Sequence, residues 1–101
     1  MMMEYSYEDS IKISQQALDL IDIKKFLISS KDISDIKYDI RFYIHISEDK
    51  VKNFMSQYPD IFGIDLDIFN YITDDEFIFY CRKRYPNIYW GEEIIERHWV
   101  R

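Results

Sequence analysis

Residues 35–47 read DIKYDIRFYIHIS, and the conformation of this stretch decides the class of the fold. Ile36, Tyr38, Ile40, Phe42, Ile44 and Ile46 are apolar, with Lys37, Asp39, Arg41, Tyr43 and His45 set between them. Strict alternation is the period of a strand with one buried face, and β-branched and aromatic side chains suit a pleated surface. A helix would scatter the same side chains over too much of its circumference. A half-buried strand is predicted here.

On the N-terminal side, YEDSIKISQQALDLIDIKKFLIS (Tyr7 to Ser29) places Ile13, Ala17, Leu20, Ile21 and Ile28 near helical spacing. Glu8 and Asp9 at its start and Lys24 and Lys25 near its end complement a helix dipole, so a first helix is predicted. On the C-terminal side, SEDKVKNFMSQYP predicts a short second helix. Ser47 is its expected N-cap, Val51, Phe54 and Met55 share one face, and Pro59 is the expected stop. Beyond Pro59, Gly63 interrupts an apolar run that fits either helix or strand. EFIFYCRKRYPNIYW (Glu76 to Trp90) has the β-propensity of a strand, with a turn at Tyr85-Pro86-Asn87 returning it toward Ile88. EEIIERHWVR closes the chain as a helix or a strand. The expected fold is α+β: an N-terminal helix packed on a short antiparallel sheet in a single domain spanning residues 1–101, with an all-α helical bundle as the alternative.

A chain of 101 residues, 48% apolar and rich in Tyr and Phe, can bury one real core and is far from a disordered composition. No apolar run approaches the roughly 18 residues needed to span a bilayer. The start, MMMEYSYEDS, lacks the basic and apolar regions of a signal peptide, so a cytoplasmic, unprocessed protein is expected. Cys81 is the only cysteine, which excludes an internal disulfide and a cysteine-based metal knuckle.

The net charge of −6 is concentrated in one segment. Residues 53–81 hold Asp60, Asp65, Asp67, Asp74, Asp75 and Glu76 with no Lys or Arg, and in the rest of the chain acids and bases balance. Basic residues stand on either side, Lys50 and Lys52 before and Arg82, Lys83 and Arg84 after. Two readings compete. The acids form a solvated face against which Arg82–Arg84 folds back, or, interleaved with Phe62, Phe69, Tyr71, Phe77 and Tyr80, they form a surface for a basic partner. Direct nucleic-acid binding is disfavoured, because phosphates require clustered Lys and Arg.

Sequence signals for chemistry are weak. Asp65, Asp67 and Glu76 match the first, third and twelfth places of a calcium loop, but Phe69 and Asn70 break its middle, so no metal and no cofactor is expected. His45, His98 and Cys81 are not linked into a nucleophile and base pair, and two glycines cannot make a phosphate loop. The protein is not expected to be an enzyme. Trp90 and Trp99 are expected in the core or, if exposed, as interface anchors.

Residues 21–41, IDIKKFLISSKDISDIKYDIR, resemble the opening helical hairpin of colicin D-type immunity proteins. The likeness lies in an apolar helix ending in Phe-Leu, then a Ser-Lys stretch, Ile-Ser, an aromatic and an Arg. It implies a helical bundle that blocks a tRNA-cleaving toxin domain by presenting acids to its basic cleft. No toxin-contacting residue is carried across, because the family's acids lie outside the matching span. The expected function is a small immunity-type inhibitor of a nuclease toxin, with Asp60, Asp65, Asp67, Tyr71, Asp74, Asp75, Glu76 and Tyr80 as the partner-binding surface. A viral anti-defence inhibitor and an oligomerising structural protein are the alternatives. Reversing Asp74, Asp75 and Glu76 to Lys is expected to slow partner capture and leave the fold intact.

Overall fold

The computed structural model describes residues 5–27, 33–63 and 66–87. In chain order it forms α1 (Tyr7–Leu18), α2 (Lys24–Leu27), α3 (Ile33–Ser47), α4 (Asp49–Met55), α5 (Pro59–Phe62), a 3-10 helix (Ile68–Tyr71) and α6 (Asp74–Arg84). No strand occurs among the described residues, which overturns the α+β expectation and leaves the all-α alternative.

The alternating stretch is helical because a period of two is also two ladders of period four. Four residues advance a helix by roughly 40° beyond one full turn, so 36, 40 and 44 make one stripe and 38, 42 and 46 another, roughly 200° away. Ile36, Ile40 and Ile44 are fully buried, joined by Ile33, while Tyr38, Phe42 and Ile46 stay 66%, 58% and 59% exposed. Each buried Ile contributes about 1.5–3 kcal/mol. A strand would also need a neighbour for its backbone N–H and C=O groups, and none of the described segments supplies one, whereas a helix satisfies them internally. Lys52 closes the end of α3, its Nζ donating to the His45 carbonyl at 2.6 Å.

The second expected strand is α6. Thr73 Oγ1 accepts from the Glu76 N–H at 3.2 Å, and the Glu76 carboxylate accepts from the Thr73 N–H at 2.9 Å, a reciprocal capping box. Asp74, Asp75 and Glu76 in the first turn and Arg82, Lys83 and Arg84 in the last complement the helix dipole at both ends. Phe77, Ile78 and Cys81 are buried along one stripe, and Phe79 points outward. Local β-propensity loses to caps, dipole and packing.

Smaller boundaries also shift. The predicted first helix stops at Leu18, and α2 follows after a turn. Ser6 is the N-cap of α1, its side chain accepting from the Asp9 N–H at 3.0 Å. Ser47 is the last residue of α3 and not the N-cap of α4, a place taken by Glu48. Pro59 opens α5, where its fixed φ suits a first turn. The buried face of α1 carries the small Ser10, Ser14 and Ala17 together with Leu18, and the 3-10 helix packs against α1. Trp90, Gly91, His98 and Trp99, with the expected closing element, lie outside the described residues.

Candidate functional site

The acid-rich run is distributed over α5, the 3-10 helix and the first turn of α6. Asp60 is exposed in α5, and Tyr71, half-buried at the end of the 3-10 helix, donates to its backbone carbonyl at 3.4 Å. Asp67 caps the 3-10 helix, accepting from the Phe69 N–H at 3.0 Å, and lies 3.8 Å from the Arg41 guanidinium. Asp74 pairs with Lys37 at 2.5 Å. Lys37 also donates to the Ile72 carbonyl at 3.4 Å and stands over the Phe69 and Phe77 rings at 5.2 and 5.8 Å. Lys37 and Arg41, one turn apart on α3, thus anchor the 3-10 helix and the start of α6.

Glu76 has a third bond beyond the capping box: Tyr7 Oη on α1 donates to both carboxylate oxygens, at 2.9 and 3.1 Å. Partial desolvation pushes the Glu76 carboxyl up, but the hydrogen bonds from Thr73 and Tyr7 outweigh it and hold the group below its ordinary value. The same hydrogen bond, with a smaller contribution from burial and the carboxylate charge, raises the Tyr7 phenol.

Tyr80 falls elsewhere. It is 7% exposed, and its Oη donates to Asp19 Oδ1 at 2.6 Å. Burial first, then that bond and the Asp19 charge, push its phenol far up. Arg84 Nε lies 3.3 Å from the same carboxylate oxygen. Tyr80 therefore ties α6 to the end of α1 and presents little surface to a partner. Asp65 lies outside the described residues.

The solvated-face reading expected Arg82–Arg84 to fold back on the acids, but they lie at opposite ends of α6, on the order of 12–15 Å apart along the axis. Its internal cations are on α3 instead. Reversing Asp74, Asp75 and Glu76 together would break the Lys37 pair and the capping box, so that triple change would not leave the fold intact.

The sequence reading assigned Tyr38, Phe42 and Ile46 to a buried strand face; all three lie on the outer side of α3. Beside them a cavity of about 170 Å³ is lined by Tyr38, Arg41, Phe42, His45 and Leu66. Leu66 holds φ at +57°, the left-handed region that a branched side chain rarely adopts. A wider groove of about 540 Å³ near the end of α6 mixes Asp19 and Asp22 with Lys24, Lys50 and Arg84, and offers no single-signed field. Cys81 is fully buried, which pushes its thiol far up and keeps it a packing residue. No group of three His, Cys, Asp or Glu able to hold a metal occurs among the described residues, and none of their helices is long and apolar enough to cross a membrane.

No protein-family model matches the chain, and comparisons with curated proteins and with solved structures give no match.

Proposed function

We propose that the protein acts by binding, as a small acidic helical inhibitor of immunity type whose α5 to α6 edge enters the basic substrate cleft of a nuclease toxin. The supporting observation is the separation of acids from bases along α6 together with the exposure of Asp60 and Asp75. Asp60, Asp67, Asp74, Asp75 and Glu76 lie on α5, the 3-10 helix and one helix start, and the three cations of α6 lie at its far end. Asp60 and Asp75 are the most solvent-exposed of these acids. Carboxylates so placed steer a basic partner and give a fast, salt-sensitive encounter.

The division of labour within the edge decides which residues to test. Asp67, Asp74 and Glu76 make the caps and ion pairs described above, and Asp60 and Asp75 cap no helix and are the more exposed. The partner is captured from the native cells, identified by mass spectrometry, purified, and mixed with the protein in stopped flow. The double variant Asp60→Lys, Asp75→Lys is expected to associate about tenfold more slowly with a flatter salt dependence, at unchanged circular dichroism. Unchanged association kinetics would overturn the proposal.

A further inference from the structure

We draw no further inference here: the strongest candidate, the groove of about 540 Å³ where Lys24 of α2, Lys50 of α4 and Arg84 of α6 stand beside Asp19 and Asp22, has its Arg84 already paired with Asp19 and offers no single-signed field, and nothing in the structure shows what covers it.

Discussion

Ser14 is fully enclosed on the inner face of α1, and its Oγ has no hydrogen-bond partner among the described residues. A buried hydroxyl left without a partner costs on the order of 1–3 kcal/mol, and alanine fits the same small space. Ser14→Ala is therefore expected to stabilise the fold by about 1 kcal/mol, raising the thermal midpoint by about 4 °C or more in a melting experiment. Glu76 gives the corresponding pH prediction. Its folded carboxyl titrates below the unfolded value, so its contribution is present above the ordinary carboxylate range and disappears as pH falls through the folded pKa. Glu76→Gln is expected to flatten the acid limb of a stability-against-pH curve, and an unaltered limb would contradict that role. At this level the sequence was only partly legible. Asp60, Asp67, Tyr71, Asp74, Asp75 and Glu76 stand out by type, but their separate duties as caps, ion-pair partners or exposed charges depend on neighbours such as Lys37 and Tyr7 that are distant in the chain.

The helices show why the fold class was misread. In α6 the start was written in plain form: Thr73, then Glu76 three places on, then an apolar run, is the signature of a capping box. The aromatic and branched residues after it have the local propensity of a strand, and the capped start outweighs it. Thr73→Ala is expected to cost about 1 kcal/mol in a denaturant titration. In α3 the ambiguity is real, since alternation fits a strand with one buried face and a helix with two apolar stripes equally well. Tertiary context breaks the tie, because the surrounding described elements are helices that offer no edge to pair with. Lys37 on the side of α3 joins that helix to the start of α6, and only 14% of its side chain is exposed. Lys37→Ala is expected to cost about 2 kcal/mol, by removing the Lys37–Asp74 ion pair and uncovering Phe69 and Phe77.

Taken together, the helices use the charge asymmetry of the chain for two purposes. Part of the acid-rich run holds the 3-10 helix and α6 against α3, and Asp60 and Asp75 are its most exposed acids. Core and exterior meet on α3, where the same alternating residues supply both the inward stripe and the outward one. Ile40 is fully buried in the core that the described helices share, while Phe42 two residues later is 58% exposed. On a strand those two side chains would share a face and matter alike. The decisive measurement is chemical unfolding of Ile40→Ala and Phe42→Ala side by side. Ile40→Ala is expected to lose about 2–4 kcal/mol of stability, and Phe42→Ala to change stability by no more than about 0.5 kcal/mol. Equal and large losses of stability from both substitutions would contradict the helical reading of residues 33–47.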